Sequence, residues 1–363
     1  MTKQQPKVAI VHDWLIAGGA EKVVLELHKM YPDAPIYTSY CTDEWREKLD
    51  NKVVTGPLQR LGDFRKLIPF LRIWWFGRLK LDGYDLVISS TGAEAKGINV
   101  PAGTPHVSYI HAPTHYYWSR YDEYLKNPGL GALDGIARTG LKLLVRPLRN
   151  WDFKAAQKPD FLIANSTHTQ SSISQYYMRD SRVVHPPVDT KRFGNESTQK
   201  RHGFVITGRQ TPYKRVDLAV AACTRLNVPL TVIGKGPDHE RLKAMAGPSI
   251  TFLGFASDHV LTKTVVNSEA FLFPGVDDFG IAPVEALAAG TPVIAFKAGG
   301  ALDYIVPGKT GEFFDAQTVD SLAQVLQAFD SKKYSSSGIK KFAQRFSIEQ
   351  FHKNMTATLK DVL

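Results

Sequence analysis

Residues 7–31 read KVAIVHDWLIAGGAEKVVLELHKMY. An apolar, β-branched run is followed by a turn with two glycines and then by apolar residues at helical spacing. Short apolar runs recur at 84–89, 106–110 and 161–164, and helical or irregular stretches separate them. Buried strands that alternate with helices predict an α/β fold in which helices cover both faces of a parallel sheet.

The same pattern starts again after the polar, turn-rich stretch DTKRFGNESTQKRH at 189–202. Further strands are predicted in GFVITGRQ, PLTVIGKG, SITFLGF, AFLFPG and PVIAF, with helices between them. A chain of 363 residues also suits two domains of roughly 150–180 residues each. We therefore predict a first domain at 1–195, a second at 196–345, and a C-terminal helix at 346–363 that returns to the first domain.

The composition is that of an ordinary folded protein. Hydrophobic residues make up 43% of the chain and charged residues 22%. The two cysteines, Cys41 and Cys223, lie far apart in sequence, which argues against a disulfide framework or a zinc site and suits a reducing cytosol. The first apolar run is too short for a signal peptide, and no run of about 18 apolar residues could span a membrane.

The net charge of +10 suggests an anionic ligand or surface. Nucleic acid is not expected, because the sequence has no RNA-binding sheet signature, no zinc finger and no Arg-rich tail. An anionic membrane surface or a phosphorylated substrate explains the charge better.

The stretch PGVDDFGIAPVEALAAG, at 274–290, predicts a short helix with a ligand site at its start. Pro283 suits the first turn of a helix, and Gly290 suits its end. Backbone N–H groups at such a helix start favour a phosphate. The carboxylate of Glu285 can accept hydrogen bonds from the two adjacent hydroxyls of a ribose. In the alternative interpretation, Asp277 and Glu285 only favour the positive end of the helix dipole.

This segment resembles the E-x7-E segment of family 4 retaining glycosyltransferases, which have the GT-B fold of two Rossmann-like domains that face a central cleft. Other stretches resemble the family in the same order: HDWLIAGGAE (12–21), IHAPTHYYWSRYDEY (110–124), IANS (163–166), HPPVD (185–189), GRQTPYKR (208–215), IGKGP (233–237), FLGF (252–255) and AGGALDYIVPGKTGEFF (298–314). The resemblance covers nearly the whole chain, and it favours the bacterial mannosyltransferases of O-antigen and exopolysaccharide assembly. It implies that the first domain binds the acceptor and the second binds the nucleotide sugar.

The resemblance also implies roles for individual residues. Arg209 and Lys214 would bind the diphosphate of the donor and stabilise it as it leaves. Asp277 would bind the transferred sugar, and His111 would contact that sugar near the reacting carbon. The donor-binding candidates are Gly18, Gly19, Arg209, Lys214, Gly234, Phe255, Ala256, Phe279, Gly280, Ile281, Ala282 and Glu285, and the acceptor-side candidates are His12, Trp14 and His115. Without the resemblance, such cations are more often solvated, such glycines are more often turns, and such a histidine is more often structural.

Two positions depart from the family pattern. His115 stands where relatives often have Arg, and Asp277 stands where the family usually has Glu, so its shorter side chain must reach the sugar through a closer loop or a water. The sequence also has no DxD triplet of the kind that holds Mg²⁺ or Mn²⁺ in other glycosyltransferases. Arg209, Lys214 and the helix start near Ile281 can supply positive charge instead, so we expect no metal and no cofactor.

Two stretches combine basic with aromatic or aliphatic residues, RLGDFRKLIPFLRIWWFGRLK at 60–80 and LKLLVRPLRNW at 141–151. This composition suits helices that lie in an anionic membrane interface. The first helix could instead pack its aromatic face inward, and both interpretations stay open. We expect a cytoplasmic protein that is peripheral on the inner face of the cell membrane.

The resemblance implies a retaining, metal-independent hexosyltransferase. It favours GDP-mannose as the donor and a polyprenyl-diphosphate-linked glycan as the acceptor. Two alternatives remain open. A sugar-nucleotide 2-epimerase of the same fold would release an isomer without using an acceptor. A catalytically silent sugar-nucleotide-binding protein would have lost its activity at positions such as Asp277 and His115.

Overall fold

The computed structural model describes residues 6–16, 18–61, 69–126, 128, 131, 134–193 and 201–362. Contacts divide the chain into two compact units. Met1–Pro186 and His352–Leu363 form the first unit, and Pro187–Phe351 form the second. The predicted domain boundary between 195 and 196 lies outside the described residues.

The first unit contains one parallel sheet. Its strands are β1 (Val8–His12), β2 (Ile36–Thr38), β3 (Val53–Thr55), β4 (Leu86–Thr91), β5 (His106–Ile110), β6 (Phe161–Ala164) and β7 (Arg182–Val183). Its helices include α1 (Ala20–Met30), α2 (Asp43–Lys48), α3 (Pro69–Phe76), α4 (Tyr121–Lys126), α5 (Asp134–Ala155) and α6 (Thr167–Tyr177). The strand order is β3-β2-β1-β4-β5-β6-β7, and Ile10 of the interior strand β1 lies opposite Ile36 on one side and Ile88 on the other.

The second unit repeats this plan. Its strands are β8 (Phe204–Thr207), β9 (Leu230–Ile233), β10 (Ile250–Gly254), β11 (Ala270–Phe273), β12 (Val293–Phe296) and β13 (Gly311–Phe314). Its helices are α7 (Val216–Leu226), α8 (His239–Ala244), α9 (Asp258–Val266), α10 (Ile281–Ala288), α11 (Val319–Ala328) and α12 (Ser336–Ala343). The parallel order is β10-β9-β8-β11-β12-β13. In each sheet the strands stay parallel, but their order along the sheet reverses beside the first strand of the unit. This reversal is typical of a doubly wound Rossmann-like sheet, so the predicted fold class is confirmed.

Helices cover both faces of the second sheet. Phe271 of β11 packs in the same cluster as Val284 of α10. Leu272, the next residue, packs in another cluster with Ala219 of α7 and Leu322 of α11. Successive side chains of a strand point to opposite faces, and here both faces are buried. This burial explains why the strands appear in the sequence as continuous apolar runs.

The last helix, α13 (Ile348–Lys360), begins in the second unit and continues into the first. Nε2 of His352 lies 2.9 Å from a carboxylate oxygen of Glu26 in α1. Beyond the end of α13, Asp361 pairs with Arg182 at 2.6 Å. The predicted return of this helix to the first domain is therefore confirmed.

Helix α3 lies within the basic and aromatic stretch at 60–80, of which 62–68 are outside the described residues. Trp75 and Phe76 are buried, whereas Phe70 and Trp74 are each 45% exposed. The helix therefore packs part of its aromatic surface inward and leaves another part in solvent. Within the described ranges, no helix has both the length and the apolar character that a membrane crossing requires.

The position of Arg72 corrects the interpretation that the basic residues of the stretch at 60–80 face an anionic membrane. The residue is buried, and its Nε and Nη2 donate to the two carboxylate oxygens of Glu94 at 2.9 and 2.8 Å. Tyr116 donates its hydroxyl to the same carboxylate at 2.8 Å. A buried guanidinium needs such a partner because the loss of its hydration is costly. Among the basic residues of the stretch at 60–80, Arg72 is therefore not available to an anionic membrane surface, whereas Arg78 and Lys80 are exposed.

Replacing Arg72 with Ala should lower the free energy of unfolding of the first unit by about 3–5 kcal/mol, because Glu94 would become an unpaired buried charge. Arg78→Ala is the control. The Arg78 guanidinium lies 4.7 Å from the Trp74 ring centroid in an exposed contact, so this change should cost at most about 1 kcal/mol. All six tryptophans belong to the first unit, so their fluorescence during urea unfolding reports on that unit. Equal losses would show that Arg72 is not a buried partner of Glu94.

Candidate functional site

The predicted donor-binding residues of the second unit follow the carboxyl ends of its strands. Arg209 comes shortly after β8, Gly234 directly after β9, and Phe255 directly after β10. Asp277 lies in the loop after β11. Because all the strands of this sheet are parallel, these loops lie at one edge of it. Open α/β sheets bind their ligands at that edge.

The structure brings Lys214 and Asp277 together. Lys214 ends the 3₁₀ turn Pro212–Lys214 after β8, and its Nζ forms an ion pair with Oδ2 of Asp277. The two side chains keep 24% and 17% of their accessible surface, so the pair is partly buried but still open to a ligand. A Cβ at Gly275 would lie 2.8 Å from the Cα of Lys214, so this glycine permits the close approach of the two loops.

The loop of Asp277 is also held by the segment that follows β12. The N–H of Gly300 donates to the carbonyl of Asp277 at 2.9 Å. The ring of Phe279 is buried, with centroids 5.6 Å from the ring of Tyr304 and 5.7 Å from that of Phe346. Phe279 is a predicted donor-binding residue, but its ring belongs to the core. Only its main chain is left to contact a ligand.

Helix α10 begins at Ile281, after Gly280, whose φ of +86° lies in the left-handed region. No side chain caps this helix start, and its first turn contains no acidic residue. The first N–H groups, in the segment that includes Gly280, Ile281 and Ala282, therefore keep their capacity to bind an anion. Glu285 lies in the second turn and is half-buried.

Tyr304, which the sequence analysis did not single out, lies beside the same helix start. It is fully buried, and its hydroxyl makes no hydrogen bond to any described residue. A Cβ at Gly280 would lie 2.8 Å from that hydroxyl oxygen. Burial raises the pKa of Tyr304, and the charges of Asp277 and Asp303 raise it further. The phenol therefore stays protonated and keeps a hydrogen to donate.

Gln210, also missed in the sequence, fixes the loop that carries the exposed Arg209. Gln210 is buried, and its Nε2 donates to the carbonyl of Gly234 at 2.7 Å. Its Oε1 lies 2.7 Å from Nδ1 of His239 in α8. Gly234 has a φ of +111°, and a Cβ there would lie 2.2 Å from the carbonyl oxygen of Gly208. Gly234, a predicted donor-binding residue, therefore permits close contact between the loops after β8 and β9.

Phe255 and Ala256 follow β10 at the same edge. Ala256 is half-buried, whereas the side chain of Phe255 is 83% exposed. Nucleobases stack readily on exposed aromatic rings. An exposed ring at this position can therefore serve as a stacking surface for the base of a nucleotide.

In the first unit, two predicted histidines lie at the carboxyl ends of the two strands that flank β4. His12 ends β1 and His111 directly follows β5, and their rings are edge-to-face with centroids 6.1 Å apart. Ser90 of β4 contacts both: its carbonyl lies 2.6 Å from Nδ1 of His12, and its hydroxyl lies 2.8 Å from Nε2 of His111. Trp14 is half-buried, and the guanidinium of Arg72 lies 5.6 Å from its ring centroid.

The other predicted residues of the first unit lie on loops. Nδ1 of His115 lies 2.8 Å from the hydroxyl of Ser119. Gly18 and Gly19 are exposed immediately before α1, and Ala17 lies outside the described residues. The glycine turn thus lies where the sequence predicts it, between the first strand and the first helix.

No group of three or more His, Cys, Asp or Glu side chains in the described part of the chain could hold a metal ion. Two open surface cavities of about 430 and 570 Å³ lie around residues 179–182 of the first unit, and no predicted site residue lines them. The candidate site is identified by its charges and loop geometry.

Two family models match the chain one after the other. Residues 17–192 match the model described as Glycosyltransferase Family 4, and residues 187–346 match Glycosyl transferases group 1. The chain belongs to the family 4, group 1 glycosyltransferases. The second match contains the whole edge with Arg209, Lys214, Asp277 and Glu285.

Curated relatives of this glycosyltransferase family member include mannosyltransferases. Over 222 residues the chain is 30% identical to the GDP-mannose-dependent alpha-(1-6)-phosphatidylinositol monomannoside mannosyltransferase of Mycolicibacterium smegmatis, covering 52% of this chain and 54% of that protein. Over 186 residues it is 33% identical to the GDP-mannose-dependent alpha-mannosyltransferase of Mycobacterium tuberculosis, covering 47% and 48%. The chain thus spans about half the length of these relatives. The alpha-1,3/1,6-mannosyltransferase alg-2 of Neurospora crassa is 23% identical and covers 96% of this chain and 89% of its own.

Solved structures have the same fold over nearly the whole chain. Anabaena HepE in complex with UDP-glucose has a TM-score of 0.69 at 19% identity, covering 98% of this chain and 100% of that one. Sucrose-phosphate synthase from Thermosynechococcus elongatus has a TM-score of 0.70 at 16% identity, covering 98% and 99%. At these identities the likeness shows the fold alone, and it agrees with the predicted GT-B class.

Proposed function

We propose that the chain is a retaining glycosyltransferase that moves mannose from GDP-mannose onto a lipid-linked glycan or a related cell-surface polysaccharide. The observation that carries this proposal is the Lys214–Asp277 ion pair at the carboxyl edge of the second sheet. Family membership supports the transfer of a sugar. Two relatives, both GDP-mannose-dependent mannosyltransferases, support the choice of donor.

The cationic groups of this edge suit a diphosphate. Lys214 provides an ammonium with partial solvent access, and Arg209 provides an exposed guanidinium that can bind two phosphate oxygens at once. The uncapped start of α10 adds main-chain N–H donors and the positive end of a helix dipole. These groups can neutralise the charge that develops on the leaving diphosphate, and the proposed reaction uses no metal.

The two carboxylates of this edge suit hydroxyl groups. Oδ2 of Asp277 pairs with the ammonium of Lys214. Oδ1 of Asp277 can then accept a hydrogen bond from a hydroxyl of the transferred sugar. Glu285 would accept from the hydroxyls of the ribose. The phenol of Tyr304, protonated and without a partner among the described residues, is a further donor beside the helix start.

Retention follows most simply from attack on the face that the diphosphate leaves. The bond between the anomeric carbon and the phosphate oxygen breaks, and the bond to the acceptor oxygen forms on the same face. The acceptor hydroxyl gives its proton to the departing phosphate oxygen. In this scheme Asp277 positions sugar hydroxyls and forms no bond to carbon, and His111 orients the sugar.

The acceptor side is assigned to the first unit, with His12, Trp14 and His115 as its candidates. A lipid-linked acceptor would require contact with a membrane. Helix α5 exposes Ile136 and Leu143, each 73% accessible, and its exposed side chains include the basic Lys142 and Arg146. Exposed apolar groups among basic ones are typical of an interfacial helix.

The proposed reaction is tested by incubating the chain with a panel of sugar nucleotides in EDTA, with and without polyprenyl-diphosphate-linked glycans. We expect GDP to be released from GDP-mannose together with mannosylated lipid. Release of a 2-epimer without an acceptor would assign the chain as an epimerase. Binding without any turnover would assign it as a sugar-nucleotide-binding protein. A requirement for added Mg²⁺ or Mn²⁺ would contradict the metal-free mechanism.

The double variant I136S/L143S should bind anionic vesicles at least tenfold more weakly than the wild type. Each aliphatic side chain contributes about 1.5 kcal/mol when fully buried, and 1.4 kcal/mol corresponds to a factor of ten. M178Q is the matched control, because Met178 is an equally exposed apolar residue of the same unit outside α5. The measurement is co-sedimentation with phosphatidylglycerol vesicles. Unchanged binding of the double variant would rule out this face as the membrane contact.

A further inference from the structure

Ser90 connects the two histidines at the ends of β1 and β5. It lies on β4, which is between those strands in the sheet, and it is fully buried. Its carbonyl oxygen lies 2.6 Å from Nδ1 of His12, and its hydroxyl oxygen lies 2.8 Å from Nε2 of His111. The main chain and the side chain of one residue therefore contact both rings.

The contact with His12 determines which of its nitrogens carries hydrogen. A carbonyl oxygen can only accept, so Nδ1 of His12 must be the donor. In the neutral ring, Nε2 then carries the lone pair. This nitrogen can accept a hydrogen bond from a substrate hydroxyl, which is the chemistry that an acceptor-side residue needs.

The contact with His111 restricts its ring. The main chain of His111 is already fixed, since its N–H donates to the carbonyl of Thr91 at 2.8 Å and its carbonyl accepts from Nδ2 of Asn165 at 2.8 Å. The remaining freedom is rotation of the side chain, and the Ser90 hydroxyl limits that rotation. A group that is oriented before the substrate binds loses less entropy in the transition state.

We propose that Ser90 is a positioning residue for the transfer reaction. Its hydroxyl holds the His111 ring in the orientation in which that ring contacts the sugar. Its carbonyl determines that Nδ1 of His12 carries the hydrogen. This role rests on the proposed function, because it concerns the same transfer step. Because Ser90 is fully buried, it would act through the two histidines and not by contact with the substrate.

The variant S90A removes the hydroxyl and keeps the carbonyl. We expect kcat to fall about tenfold to a hundredfold, because a misplaced group of this kind costs rate on that scale. The KM for GDP-mannose should change less than about threefold, since the lost orientation acts in the transition state. Tryptophan fluorescence during urea unfolding checks that the first unit is folded.

The matched control is S89A. Ser89 is also fully buried on β4, and its hydroxyl lies 2.9 Å from Nε2 of His106 and 2.8 Å from the hydroxyl of Ser108. Neighbouring strand residues point to opposite faces, so this change removes comparable buried hydrogen bonds away from His12 and His111. We expect S89A to lose stability similarly but to keep kcat within about twofold.

Nitrogen-15 NMR of the imidazole rings provides a readout that needs no activity. S90A should shift the ring signals of His111 and leave those of His106, whereas S89A should do the reverse. The ring of His12 should show hydrogen on Nδ1 in the wild type. Equal losses of kcat in the two variants, or unchanged His111 signals in S90A, would overturn the role of Ser90 but not the proposed function. A chain that transfers no sugar at all would overturn the proposed function as well.

Discussion

The candidate donor site depends on the ion pair between Lys214 and Asp277. These residues lie on the loops after β8 and β11, which are adjacent strands in the second sheet. The strand order reverses between them, so the loops lead to helices on opposite faces of the sheet, and open α/β sheets bind ligands at such a reversal point. The ion pair joins the two loops. Gly275 allows the main chains of the two loops to approach, and a residue with a side chain there would separate the charges.

The pair also gives a physical account of the aspartate at position 277, where the family usually has glutamate. The main chain of Asp277 is held by Gly300, and its loop packs closely against Lys214. A closer loop needs a shorter side chain to place its carboxylate beside the ammonium. On this account the close approach of the loop compensates for the shorter side chain of Asp277.

The sequence predicts the elements and the edge at which the site lies, because buried strands have continuous apolar runs and parallel strands share one carboxyl end. It does not predict which charges meet. Lys214 and Asp277 are 63 positions apart, and no local pattern links them. Arg72 shows the same limit, because a basic residue among aromatic ones fits a surface helix as well as a buried one. Its partner Glu94 is recognisable only in the fold. Tyr304 lies within the stretch 298–314 that resembles the family, but nothing in that stretch singles out its hydroxyl, and Ser90 follows the apolar run at 84–89 without a pattern of its own.

The central claim is that Lys214 and the neighbouring groups at the carboxyl edge of the second sheet bind the donor without a metal. Calorimetric titration with GDP-mannose in EDTA tests this claim most directly. The account predicts binding to the wild type under chelation. In K214A the affinity should fall about tenfold to a hundredfold, because a hydrogen bond to a charged group contributes about 1.5–3 kcal/mol. R225A is the control, since Arg225 pairs at the surface with Asp320 at 2.5 Å and donates to the carbonyl of Val319 in the same unit. Binding that appears only with Mg²⁺ or Mn²⁺, or that K214A and R225A weaken equally, would contradict the account.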